Sequence, residues 1–420
     1  MDVLSNLSPR VRDLYAKMKD FVENDCIPAE AEYNLELGVG AQRWSAQPKT
    51  MERLKARARS LGLWNLFLPK SYPEGAGLTN LEYSVLAELT GRCPMLAPEA
   101  TNCAAPDTGN MEVLAKYGNP AQKKRWLQPL LDGQIRSAFA MTERYVASSD
   151  ALNIESTIVR DGDEYVINGH KWYISGAGHP HMKLWIFLGK STDPNRPKHQ
   201  QHSIVLVPAG TPGIDVIRPL HVFGYDDAPE GHVEVIFKNV RVPARDALVL
   251  GEGRGFEVIQ GRLGPGRIHH CCRALGMAER ALDLGVVRIR DRGSTFGAPL
   301  AANGVVRQYF ADSRMRLDQA RLLVWYTADR IDNVGAKKAL KEIAMIKVVV
   351  PNTALFVVDK MIQLFGATGV SQDTILPRFY AGLRTLRIAD GPDEVHSNQI
   401  GRLELSRYDA LKPKQLAGKL

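Results

Sequence analysis

The 420-residue chain lacks any run of about twenty uninterrupted apolar residues, the length a helix needs to cross a bilayer, so no membrane span is expected. Cysteine is scarce: Cys26, Cys93, Cys103, Cys271 and Cys272 make an odd number with no C-x-x-C pair, which disfavours a disulfide framework or a zinc ribbon. There is no block of five like charges. The 54 basic and 46 acidic residues leave a net charge of +8, which points weakly to an anionic partner and leaves phosphate-bearing small molecules and nucleic acid both open. Neither a Walker A loop nor a G-x-S-x-G elbow is present, so simple matching yields no NTPase and no hydrolase. The opening residues carry no apolar leader core and no Arg-rich transit pattern, from which a reduced, cytoplasmic location is expected. What is there is ordinary globular composition, 45% hydrophobic and 24% charged, over a length that suggests two or three domains.

The first third reads as helix. Ser8 and Pro9 can open one with Val11, Leu14, Met18, Phe21 and Val22 on one face, ended by Pro28. Thr50 can cap a second and Asn80 start a third, while Asn119-Pro120 opens a fourth that runs to about Gly133. From about Ser137 to Leu250 the segments turn short and β-branched, and Asn168-Gly169 carries a hairpin signal. Regularly spaced strands without helices between them imply an antiparallel sandwich or barrel. After Gly255 helix returns over about 256–291, 303–331, 336–365 and from Pro392 to about 410, the pattern of an antiparallel bundle. The expected class is α+β: an N-terminal α-helical domain over 1–136, a middle antiparallel β domain over 137–250 and a C-terminal bundle over 251–420.

Gly251-Glu-Gly-Arg-Gly255 is not a dinucleotide fingerprint, because no buried parallel strand of a βαβ unit precedes it. His269-His-Cys-Cys272 is no metal cluster either, since four consecutive helical residues point in four directions about 100° apart. Ser137-Ala-Phe-Ala-Met-Thr-Glu143 and Lys171-Trp-Tyr-Ile-Ser-Gly176 set small polar groups and flat rings at strand ends, which suits a planar heterocycle. Asp390-Gly391 before Pro392 reads, on residues alone, as an aspartate capping the last helix.

These segments, in this order, resemble the acyl-CoA dehydrogenase family over almost the whole chain. Met141-Thr-Glu143 with Ser149-Asp150 is similar to the family's first signature, and Asn168-Gly-His-Lys-Trp-Tyr-Ile-Ser175 to its N-G-x-K-x-W-I-[ST] strand. Thr295-Phe-Gly297 with Gln308 resembles the R-x-x-F-G element and its following glutamine, and Gln363-Leu-Phe-Gly-Ala-Thr-Gly369 the Q-x-x-G-G-x-G helix end. Asp390-Gly391 falls where the family usually has a catalytic Glu-Gly, and Arg262–His270 and Ala389–His396 resemble the branch of mammalian family members ten and eleven.

The resemblance implies FAD between the β domain and the bundle. It assigns Phe139, Met141, Thr142, Trp172, Tyr173 and Ser175 to the flavin. Arg292, Phe296, Gln308, Gln363, Gly366, Ala367 and Glu394 also fall to the cofactor, Phe296, Gln308 and Gln363 across a dimer interface. Ser149, Arg267 and Gly391 fall to the acyl-CoA substrate. No metal is implied. Asp390 would take the α-proton while hydride leaves for flavin N5, and electrons would pass to an electron-transfer flavoprotein. A dimer or dimer of dimers is implied, with longer, branched or 4-hydroxylated acyl chains suggested by the branch. Three departures stand out: aspartate replaces glutamate, Thr142-Glu-Arg144 replaces T-E-P, and Gly293 occupies the place of the R-x-x-F-G arginine, with Arg292 one residue earlier. A nitroalkane-type or acyl-CoA oxidase on the same fold, and a DNA-binding flavoprotein of the AidB kind, are the alternatives.

Overall fold

The computed structural model describes residues 7–191, 193, 195–295, 297–408 and 411. These divide into two compact units, Met1–Gly266 and Arg267–Leu420.

The first unit opens with α1 (Pro9–Asp20), where the Ser8 side chain accepts from the Val11 N–H and Pro9 takes the first position. Val11, Leu14, Met18, Phe21 and Val22 are all buried, as their spacing requires. Pro28 does not end the helix. A π turn over Phe21–Cys26 leads into α2 (Ile27–Leu37), with the Ile27 N–H bonded to the Val22 carbonyl. Pro28 thereby falls in a first turn, where its missing donor costs nothing. In α3 (Lys49–Ser60) the N-cap is Pro48, and Thr50 lies inside, its N–H 2.9 Å from the Glu36 carboxylate. Asn80 starts α4 (Asn80–Gly91), as expected, and Thr79 caps it, closing a capping box with Glu82. Then come α5 (Ala97–Ala100), α6 (Asp107–Tyr117) and α7 (Pro120–Gln122), which Asn119 caps; a second π turn continues α7 into α8 (Gln128–Leu131).

The seven strands of this unit are β1 (Arg136–Ala140), β2 (Thr157–Asp161), β3 (Glu164–Ser175), β4 (Met182–Ser191), β5 (His202–Pro208), β6 (Ile214–Leu220) and β7 (His232–Pro243). They form one sheet in the order β1-β4-β2-β3-β7-β6, with β5 also paired to β4. The pairing is mainly antiparallel, with β1 and β2 each joining β4 in parallel. Trp185, Phe187, Phe237 and Tyr165 lead its apolar core, the Trp185 and Phe237 rings meeting edge-on at 5.4 Å. Asn168-Gly169 makes no hairpin: β3 runs straight through it, and the turn lies at Gly162-Asp163. The pair marks a register shift against β7, where the Asn168 side chain accepts from the Asn239 N–H. Gly169 is required by close approach, since a Cβ there would lie 2.1 Å from the Ser156 hydroxyl.

A short α9 (Ala244–Ala247) precedes α10 (Gly255–Asp291), which continues into the second unit. There follow α11 (Gly304–Val334), α12 (Leu340–Phe365), α13 (Ala367–Val370), α14 (Leu376–Leu386) and α15 (Asp393–Leu405). By length and hydropathy α12 could cross a membrane, yet it is the core of this unit. It packs against α11, α14 and α15 and buries Ile346, Val350, Val357, Met361 and a lysine, Lys347. The N-cap of α15 is Pro392, with no side-chain capping bond, so Asp390 does not have the capping role its position suggests.

Candidate active site

Asp390 stands in the turn between α14 and α15 with φ 56°, a left-handed conformation uncommon for a residue with a Cβ. Gly391 follows at φ 99°, where the left-handed region favours glycine. Side chains from three helices hold this turn. Arg267 of α10 donates from Nε to the Asp390 carbonyl at 3.1 Å, and His396 of α15 reaches the same oxygen through Nε2 at 3.1 Å. Lys347 of α12 donates to the Leu386 carbonyl and, at 3.3 Å, to that of Gly391. Arg387 and Asn352 both donate to the Asp393 carboxylate, at 2.7 and 3.0 Å, fixing the start of α15. The Asp390 carboxylate stays partly exposed, and His270 approaches it, with Nε2 3.6 Å from Oδ2.

Burial shapes the charge here. It pushes the His396 imidazole down to about 4, with Arg267 adding to the effect, so His396 is neutral and donates from Nε2. Burial also lowers Lys347 and Arg267, each partly offset by the attraction of nearby groups that include Asp390. The result is a carboxylate on a rigid, strained turn, faced by cations, in a setting that a backbone cap would not need.

In the first unit the ends of β1 and β3 come together. The Trp172 N–H donates to the Thr142 carbonyl at 3.0 Å, and the Thr142 hydroxyl donates to the Trp172 carbonyl at 2.6 Å. Lys171, fully buried, bonds the Met141 carbonyl and the Glu143 carboxylate, both at 2.8 Å. Glu143 also accepts from the Glu155 and Ser156 N–H groups, at 2.8 and 2.9 Å, which anchors the loop back onto β2. Tyr173 has φ 51° and is 41% exposed, its ring edge-on to Trp172 at 5.1 Å and tilted to His232 at 5.7 Å. Ser175 bonds His232 Nδ1 at 2.9 Å, and Phe139 lies under the Arg262 guanidinium, 4.2 Å from its centroid. Six of the residues assigned to the flavin thus gather around one pair of strand ends. An exposed ring, a half-buried indole and the polar edge of Met141-Thr142 fit a planar heterocycle. An open groove of about 420 Å³ in the same unit is lined by Arg196, His199, Arg254, Phe256, Glu252 and Glu257.

The other assigned residues lie elsewhere. Ser149 is exposed on its loop, and the neighbouring Ser148 makes the internal bonds, its hydroxyl accepting from the Glu143 N–H at 2.9 Å. Arg292, Gln308, Gln363, Gly366, Ala367 and Glu394 are all exposed on the second unit, and Gln308 bonds only to the carboxylate of Asp312 among the hydrogen bonds described for it. Phe296 lies outside the described residues. Among the described residues no group of three or more His, Cys, Asp or Glu could hold a metal ion. Sequence reasoning missed Lys347, His270, Arg273 and His396 as parts of the site. Lys347 carried a signal, a single cation inside the apolar run Ile343–Val350.

Three domain descriptions of one family cover the chain: "Acyl-CoA dehydrogenase, N-terminal domain" matches residues 8–134, the middle domain 138–240 and the C-terminal domain 253–405. "Probable acyl-CoA dehydrogenase FadE2" of Mycobacterium tuberculosis is 53% identical over 401 residues, 96% of this chain and 97% of that one. Acyl-CoA dehydrogenase family member 10 of Mus musculus is 52% identical over 97% of this chain, which spans only 38% of that protein. A solved structure from Mycobacterium abscessus, assigned to the acyl-CoA dehydrogenases, superposes with a TM-score of 0.91 at 48% identity, covering 96% of this chain and 99% of its own. With both strand ends and the Asp390 turn in place, these matches make the chain a member of the acyl-CoA dehydrogenase family, FAD-dependent oxidoreductases of three-domain fold.

Proposed function

We propose that the protein dehydrogenates an acyl-CoA thioester between its α and β carbons, with Asp390 as the base that takes the α-proton. The observation that carries this reading is the Asp390 turn: a carboxylate on left-handed backbone, its carbonyl bound twice, with no capping role to explain it. A thioester α-proton is far less acidic than a free carboxylic acid, so alignment and a water-poor site must do much of the work. Arg267, His396 and Lys347 supply the alignment by fixing the two peptide planes that follow Asp390, through its own carbonyl and that of Gly391.

FAD, when bound, supplies the acceptor for the hydride that leaves the β-carbon. Met141, Thr142, Trp172, Tyr173, Ser175 and Phe139 are the residues that would hold its ring, and the exposed Tyr173 ring, the half-buried Trp172 indole and the polar edge beside them support that assignment. An electron-transfer flavoprotein is the proposed electron acceptor. Assembly with a second copy is supported by the apolar side chains the second unit leaves uncovered, among them Val286 and Val287 on α10 and Val305, Met315, Leu322 and Tyr326 on α11. Gln308, Gln363 and Gly366 are exposed in the same unit, as residues that complete a neighbour's site would be.

The test is an anaerobic absorbance titration of the flavin-loaded protein with a panel of acyl-CoAs. Bleaching of the flavin band by one of them is expected, and Asp390→Asn should retain flavin while reduction slows by at least about 10³-fold. A protein bleached only by nitroalkanes, or an Asp390→Asn variant of full activity, would overturn this reading.

A further inference from the structure

Arg267 and His270 stand three residues apart on α10 and so share a face, and both address Asp390. Arg267 takes the carbonyl and His270 approaches the carboxylate, Nε2 to Oδ2 at 3.6 Å. The other ring nitrogen of His270 is engaged: the buried Arg273, one turn on, comes to 3.2 Å of Nδ1 through its terminal nitrogen. A guanidinium has donors and no acceptor, so Nδ1 must accept, and the proton of a neutral His270 is left on Nε2, aimed at Asp390. The residue addressed is an aspartate one methylene shorter than the glutamate usual at this place, whose carboxylate has fewer rotamers with which to meet a substrate.

We propose that His270, its tautomer fixed by Arg273, is the positioning residue that orients the Asp390 carboxylate and keeps it ionised. This rests on the reading of Asp390 as the base. The surrounding charges agree with it. Arg267 and Arg273 on α10 and Lys347 on α12 are cationic, and Asp393 at the start of α15 is occupied by Arg387 and Asn352. His396 on α15 and His269 on α10 are held neutral by burial, at about 4 and about 3, and burial pushes the Cys271 thiol up to about 12. An N–H donated to a carboxylate is the charge-assisted form of such a contact. At 3.6 Å the pair stands just beyond hydrogen-bond distance, and catalytic contacts of this kind often tighten only in the substrate complex.

Removing the donor raises the base's proton affinity. In His270→Phe the acid limb of the kcat/KM profile should move up by about one pH unit, and substrate-driven flavin reduction should slow by about 10²-fold. His270→Gln, which returns an N–H near the Nε2 position, should restore most of both. Nitrogen NMR of the imidazole gives a readout independent of turnover. His270 should carry its proton on Nε2 in the parent protein, lose that preference in Arg273→Gln, and show a lower imidazole pKa in Asp390→Asn than in the parent. A proton on Nδ1 in the parent, or a His270→Phe variant with an unmoved acid limb and rate, overturns the proposal. An Asp390→Asn variant that still reduces its flavin overturns instead the assignment of the base.

Discussion

Aspartate at 390 shifts the burden of geometry from side chain to backbone, because a shorter base must be carried nearer its target by the turn that bears it. Gly391 is where that turn can be tested. Its φ of 99° suits no Cβ, and a Cβ there would come 2.8 Å from His396 Nε2, the atom that ties down the Asp390 carbonyl. Gly391→Ala should therefore cost about 1–3 kcal/mol and, by displacing the base by a fraction of an ångström or more, lower kcat up to about 10²-fold. Flavin content should be unchanged; a variant with parental kcat would show that the His396 contact does not set the position of Asp390. The residue pattern D-G-P was legible from the sequence, its left-handed backbone was not. A capping aspartate and a base aspartate before Gly-Pro look alike until φ and the start of the helix at Asp393 are known.

At the level of elements, the join of β1 to β3 rests on one buried lysine. Burial pushes the Lys171 ammonium down to about 8 against the pull of Glu143, so the clamp is intact at neutral pH. Lys171→Met would leave the Glu143 carboxylate buried with two backbone donors and no counter-charge, a loss of about 3–5 kcal/mol. It would also free the Met141–Glu143 loop, and FAD affinity should fall. Glu143→Gln in the Lys171→Met background should recover part of the stability, because the stranded charge is gone, while the single amide oxygen can accept from only one of the two backbone N–H groups. Thermal midpoints and FAD fluorescence titrations separate the two effects, and unchanged affinity in Lys171→Met would remove the clamp from cofactor binding. Helix and strand order here was largely readable from periodicity. The misreadings share one cause, that local signals serve two purposes. Asn168-Gly169 marks a hairpin or a strand irregularity facing Ser156, and Pro28 ends a helix or opens the turn after a π bulge. Only the packed neighbours distinguish them. The helix α14 had no such excuse of ambiguity: Leu376, Phe379 and Leu383 are buried on one face, but the turn-rich approach from Gly366 hid its start.

Across the whole molecule, the two units should answer acid differently. In the second, burial holds His269 at about 3 and His396 at about 4, so both are neutral in the folded chain well below the pH at which they protonate when unfolded, about 6.5. Between those limits the unfolded state binds more protons, and stability falls as pH drops. With about two extra protons the slope is about 2.7 kcal/mol per pH unit near pH 5.5. The first unit has the same trend from His179, held at about 3 by burial, with His202 and His232 also lowered. It is countered by Glu112 and Glu230, which burial raises to about 7. Those carboxyls are protonated when folded and ionised when unfolded, so they gain stability as pH falls through the same window. Hydrogen exchange at pH 5 and pH 7, corrected for intrinsic rates, should show protection lost first in α11, α12 and α15 while β3, β4 and β7 hold. His396→Gln keeps a donor for the Asp390 carbonyl but cannot titrate, and should about halve the slope of the second unit. Equal loss in both units, or an unchanged slope in that variant, would mean that these imidazoles protonate in the folded chain without cost.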